Sequence, residues 1–139
     1  MLKKTLTYED YNGNQVTEDY YFNLSKAEVI EMEASAEGGF GEMLKKIAEE
    51  KNVPLMMSTF KMFILKSVGI KSEDGKHFRK SPEITADFES SEAYSALFSE
   101  LCTSAEAATA FIAGILPVDA AQRNDLIAKA KTMQIPSET

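Results

Sequence analysis

The chain has 139 residues, 44% of them hydrophobic, and a formal net charge of −7 from 15 Lys and Arg against 22 Asp and Glu. That length suits one domain with enough apolar material for a normal core. The acidic balance argues against a nucleic-acid surface, which needs clustered Lys and Arg, and against binding to anionic membrane.

The first element is a hairpin, Lys3–Tyr8 and Gln15–Phe22. Leu2, Leu6 and Tyr8 recur at roughly even spacing, and Val16, Tyr20 and Phe22 share one face of the second strand, with Tyr21 on the other. Tyr11-Asn12-Gly13-Asn14 supplies the turn, because Asn and Gly tolerate positive φ. A hairpin alone is marginal in water, so the helices behind it or a partner chain must hold it. Ser25 and Glu28 then form a capping-box pattern, with Leu24 and Val29 placed as its hydrophobic staple, opening a helix that runs to Ala36.

Gly38-Gly39 and Gly41 break the chain. Phe40, Met43, Leu44, Ile47 and Ala48 follow as an apolar stripe at helical spacing, bounded by Asn52 to Pro54. A third helix, Leu55 to Val68, is apolar almost all round, which is the pattern of a central helix. Its Met56, Met57 and Met62 cannot all face one core direction, so part of this set is placed on a surface that grips another chain. A second hairpin or loop comes next, with Gly69–Lys71, the turn Ser72-Glu73-Asp74-Gly75 and then Lys76–Arg79.

Ser81-Pro82 opens a further helix with Pro at its first position. After Ser90-Ser91, Tyr94, Leu97, Phe98 and Leu101 make another stripe. Thr103 and Glu106 form a second capping-box pattern before Ala108, Phe111, Ile112 and Ile115, and Gly114 and Pro117 close that helix. A last helix from Val118 to Met133 carries Leu126, Ile127, Ala130 and Met133 on one face, followed by a frayed tail. The expected fold is therefore mainly α (α+β). An N-terminal β-hairpin precedes a compact bundle of about five to six helices, with a short second hairpin near residues 69–79. The whole is expected to be a single domain over 1–139: the hairpin at 1–24, a helical core at 25–117 and a C-terminal helix and tail at 118–139.

No constellation points to an enzyme. His77, the one histidine, stands beside an Asp-Gly turn with no nucleophile or carboxylate positioned by the sequence. One His and one Cys far apart cannot build a usual zinc site. Cys102 ends the Leu97–Leu101 stripe and reads as a small core filler; as the one cysteine it permits no internal disulfide and fits a reducing, cytosolic setting. Glu73-Asp74-Gly75 lacks the spaced oxygen ligands of a calcium loop, since Lys76, His77, Arg79 and Lys80 follow. Gly38-Gly39-Phe40-Gly41 lacks the Lys-Ser or Lys-Thr of a phosphate loop. The carboxylates Glu31, Glu33, Glu37, Glu49, Glu50, Glu89 and Glu92 read as solvated faces. No catalytic, cofactor or metal residues are expected. Thr5, Thr7, Glu9 and Asp10 interrupt any apolar run after Lys3-Lys4, which reads against a signal peptide. The longest apolar-rich piece, Val53 to Val68, carries Lys61 and Lys66 and falls short of the roughly 20 apolar residues of a membrane span.

Several stretches together carry a family likeness. They are Lys3-Lys4-Thr5-Leu6-Thr7-Tyr8, Asp10-Tyr11-Asn12-Gly13-Asn14, and Thr17-Glu18-Asp19-Tyr20-Tyr21-Phe22-Asn23-Leu24-Ser25-Lys26-Ala27-Glu28. The order continues through Ile64-Leu65-Lys66-Ser67-Val68-Gly69, Lys71-Ser72-Glu73-Asp74-Gly75-Lys76-His77-Phe78, Glu92-Ala93-Tyr94-Ser95-Ala96-Leu97-Phe98-Ser99-Glu100-Leu101 and Ala110-Phe111-Ile112-Ala113-Gly114-Ile115-Leu116-Pro117. Each motif is plain; their order and spacing resemble the siphophage tail assembly chaperones of phages and prophages of Gram-positive bacteria. The likeness spans residues 1–117 and leaves 118–139 outside.

The resemblance implies a helper protein of the host bacterial cytoplasm, absent from the mature virion. Such a protein and a longer frameshifted form of itself coat the tape measure protein and keep it soluble until the tail tube polymerises around it. The implied partners are the tape measure protein, the longer form and further copies of the chain. The family brings no catalytic residues. The residues expected to meet partners are Tyr20, Tyr21 and Phe22 of the hairpin, Met56 and Met57, and Leu126 and Ile127 of the last helix. Hairpin edges such as Lys3–Tyr8 or Val16–Phe22 can also pair between subunits. A structural minor tail protein and a small protein-binding adaptor are the alternatives.

Overall fold

A computed structural model describes residues 1–35 and 53–117. The expected helix through Phe40 and Met43 and the last helix from Val118 lie outside the described residues. Strand β1 is Leu2–Glu9 and β2 is Gln15–Phe22. Helix α1 is Lys26–Ser35 and α2 is Val53–Ser67; strands β3, Val68–Lys71, and β4, Phe78–Arg79, follow. Helices α3, α4 and α5 are Pro82–Glu89, Glu92–Thr103 and Ala105–Ile115.

The N-terminal hairpin has the expected turn. Gly13 adopts a φ of 82°, and the Asp10 carboxylate accepts from the backbone N–H groups of Asn12 and Asn14, each at 2.9 Å. The register runs from Leu2 opposite Phe22 to Glu9 opposite Gln15. Leu2, Leu6 and Phe22 thus share one inner face, while Lys3, Thr5, Thr7 and Glu9 point the other way and are exposed.

Two hairpins form one sheet. Strand β3 pairs with β2 through Tyr21 opposite Gly69 and Phe22 opposite Val68, and all strands are antiparallel in the order β1-β2-β3-β4. Sequence reading placed the second hairpin near residues 69–79 but as a separate piece on a helical bundle. The difference has a physical cause. The edge of β2 turned away from β1 needs partners for its backbone groups, and β3 supplies them as soon as α2 ends. The helices therefore pack on a sheet rather than only on one another.

The core lies between the inner face of the sheet and helices α2–α5. Phe22, Leu24, Ile64, Ala93, Leu97 and Ile115 are fully buried in one cluster with Leu6, Phe63, Val68, Leu101 and Phe111. Burying a residue of this size contributes about 1.5–3 kcal/mol, so the sheet face is a main source of stability. Backbone bonds knit the layers together. The N–H of Asn23 donates to Ser67 O at 2.8 Å, and that of Leu24 to Ile115 O at 2.9 Å.

The helix starts follow the local sequence. Ser25 N–H donates to Glu28 Oε1 at 2.9 Å and Glu28 N–H to Ser25 Oγ at 3.1 Å, completing the capping box before α1. Ser81 caps α3 through the N–H of Ile84, with Pro82 in the first turn. At α5 the cap is Ser104, not Thr103. Ser104 is extended, with φ −140° and ψ 110°, and its Oγ accepts from Ala107 N–H at 3.1 Å. Thr103 still belongs to α4, and its hydroxyl donates back to Ser99 O at 2.8 Å, which takes it out of the capping role.

Candidate partner-binding surface

Successive residues on β2 point to opposite faces, so Tyr20, Tyr21 and Phe22 cannot act as one patch. Phe22 is completely buried. Its ring lies 5.6 Å from Phe88 and 5.3 Å from Phe111, both near edge-on. Tyr20 is half-buried beside it, 5.1 Å from Phe88, and the train continues through Phe88–Tyr94 at 6.0 Å and Tyr94–Phe98 at 5.8 Å. Phe22, expected among the partner-facing residues, is thus covered by α3 and α5 of its own chain. Met56 is buried in the same cluster, because it faces inward from α2, whereas Met57 on the next position is 41% exposed. Leu126 and Ile127 lie outside the described residues.

Tyr21 is on the outer face, with Lys71 Nζ 5.0 Å from its ring centroid. The same face carries Phe78, whose ring lies over Gly69. A Cβ built at Gly69 would stand 2.7 Å from that ring and 2.8 Å from Arg79 O, so glycine lets β3 and the Phe78 ring approach this closely. Lys80 sits 5.8 Å from the Phe78 ring and reaches Glu28 at 2.7 Å. Tyr21 was among the expected partner-facing residues, and the period-2 alternation of β2 had separated it from its neighbours; Lys71, Phe78 and Lys80, which join it, were missed from the sequence. Exposed Ile30, Val53 and Ile70 were also missed. Their positions within helical or strand stripes gave no sign of which stripe members stay outside.

The hairpin is also anchored at its tip. Tyr11 lies in the turn and its hydroxyl donates to Ser90 O at 3.0 Å and to Glu92 Oε1 at 3.2 Å, at the junction of α3 and α4. Lys4 pairs with Glu100 of α4 at 2.9 Å. On the inner face Tyr8 donates to Glu18 and lies 3.3 Å from the Tyr20 hydroxyl; these bonds, the one to Glu18 foremost, push the Tyr8 phenol well above its usual range.

The residues weighed for chemistry occupy ordinary places. His77 is exposed in the β3–β4 connection, where its backbone N–H donates to Ser72 Oγ at 3.0 Å. Asp74 accepts from Ser72 Oγ at 2.6 Å and from Lys76 N–H at 3.0 Å, and these two bonds hold its carboxyl below the usual range. Cys102 is half-buried against the core, and burial pushes its thiol up, away from the reactive thiolate. Among the described residues, no group of His, Cys, Asp and Glu is placed to hold a metal ion, and no helix is long and apolar enough to cross a membrane. The Gly38-Gly39-Phe40-Gly41 segment lies outside the described residues.

The outer patch thus combines two half-exposed aromatic rings, Tyr21 and Phe78, with the lysines Lys71 and Lys80. The chain belongs to the phage tail assembly chaperone family, whose model matches residues 1–138. The match runs through residues 118–138, beyond the 117 that the sequence motifs alone had covered. The family is one of assembly helpers that engage tail proteins, not of enzymes. Comparison with curated proteins and with solved structures returned no match.

Proposed function

We propose that this chain binds the tape measure protein in the host cytoplasm, keeps it soluble while the tail tube assembles, and is absent from the mature virion. Membership of the tail assembly chaperone family along residues 1–138 carries this reading. The described residues are compatible with it: Met57 and Ile70 are exposed and Tyr21 and Phe78 half-exposed on a chain of net charge −7. Apolar contacts suit a long helical partner with hydrophobic stripes, and net charge keeps a holder of such a chain dispersed. A longer frameshifted form of the same protein would share this body and coat the tape measure protein with it.

Co-expression tests the reading. The tape measure protein of the same phage is produced with and without this chain, and the soluble fraction of each lysate is compared. A several-fold rise in soluble tape measure protein, with co-purification, is expected. An unchanged fraction without co-purification would sink the proposal. Mass spectrometry of purified virions separates the structural alternative, since a minor tail protein would be found in the particle at stoichiometric level.

A further inference from the structure

Strand β1 ends the sheet, with β2 on one side and, among the described residues, no strand on the other. Hydrogen bonding fixes which of its residues face outward. Asp10 N–H donates to Asn14 O, and Asn23 N–H donates to Ser67 O, both at 2.8 Å. In an antiparallel ladder bonded pairs alternate. The odd-numbered residues of β2 therefore bond toward β3 and its even-numbered residues toward β1. Through the register, Leu2, Lys4, Leu6 and Tyr8 bond toward β2. Lys3, Thr5, Thr7 and Glu9 direct their N–H and C=O groups to the open edge.

That edge complements itself. We infer that two copies of this chain pair antiparallel through β1, about a two-fold axis at Leu6. In this register Lys3 stands opposite Glu9 and Thr5 opposite Thr7, each twice, as bonded pairs made by the residues whose backbone groups face the open edge. Leu6 faces Leu6 of the partner subunit and Lys4 faces Tyr8 of the partner subunit, as non-bonded pairs. Opposite charges and Thr–Thr neighbours are favourable directly across a ladder. A register shifted by one residue would put outward groups opposite inward ones and break the alternation. The axis is normal to the sheet, so both helical layers stay on one side and the sheet becomes continuous across the dimer. The other edge, β4, has two residues and offers no comparable template. The inference does not depend on tape measure binding, because the chain alone is measured.

Sedimentation of the full chain from micromolar to millimolar concentration is the test. Wild type should show a monomer–dimer equilibrium. Thr5→Pro removes one outward N–H at an edge position while Lys4 and Leu6 keep their bonds to β2, so circular dichroism should be unchanged and dimerisation at least about tenfold weaker. Lys3→Glu and Glu9→Lys each set like charges opposite at two places and should weaken association by on the order of tenfold. The double variant should recover it. A wild-type chain that stays monomeric to millimolar concentration, a Thr5→Pro dimer of unchanged affinity, or a double variant as weak as the singles would overturn the inference. Should Thr5→Pro fail to fold, the charge series decides.

Discussion

Phe22 and Tyr21 are chain neighbours with opposite duties. Removing Phe22 would leave a void between Phe88 and Phe111, so Phe22→Ala should destabilise the chain by about 3–5 kcal/mol, read from urea unfolding. Tyr21→Ser should cost no more than about 1 kcal/mol, since its ring lies half open on the outer face under Lys71. Alternation along β2 made this split legible in the sequence. Which face would be covered was not, because that depends on Phe88 and Phe111, some 66 and 89 positions further on. The outward residues are thus the ones to change when binding is tested. Tyr21→Ser with Met57→Ser should reduce co-purification of the tape measure protein several-fold while leaving thermal unfolding near wild type; unaltered recovery would show that neither residue is a contact.

Among elements, the junction of β2 with α1 combines several signals. Glu28 closes the capping box and accepts from Lys80 Nζ at 2.7 and 2.8 Å. Partial burial raises its carboxyl, but the bonds from Lys80 and from the Ser25 backbone outweigh this and hold it below its ordinary 4.5. A carboxyl lowered in the folded state contributes stability above its unfolded value, and loses it as pH falls through the folded one. The unfolding midpoint should therefore drop as pH falls below about 4.5, and Glu28→Gln should flatten that drop. An equally steep fall in the variant would assign the effect to other carboxylates. Asp74, lowered in the same direction by Ser72 and Lys76, adds to the loss in the same acid range. The capping box was legible because it is local. The Lys80 partner, 52 positions away, was not. Gly69 teaches a related lesson. It read as an ordinary strand start, yet Gly69→Ala would press on Arg79 O and the Phe78 ring and should cost about 1–3 kcal/mol in thermal or urea unfolding. Wild-type stability in that variant would mean that β4 moves aside freely.

At the scale of the molecule, the helices and hairpins of the described residues were largely legible from periodicity and turn residues, and the family from the order of its motifs. The joining of the two hairpins was not, since a two-residue contact between β2 and β3 leaves no pattern of its own. The sheet and its helical cover have a consequence for the order of events during synthesis. The hairpin leaves the ribosome before the helices that cover it, with Leu2, Leu6 and Phe22 bare on one face. The strand that flanks it and the α5 backbone that accepts from Leu24 come about 45 and 90 residues later. At roughly 5–20 residues per second, translation takes on the order of 5–20 s to supply α5. A member of a tail assembly chaperone family therefore passes through an interval in which its own hairpin exposes an apolar face that its later helices have yet to cover.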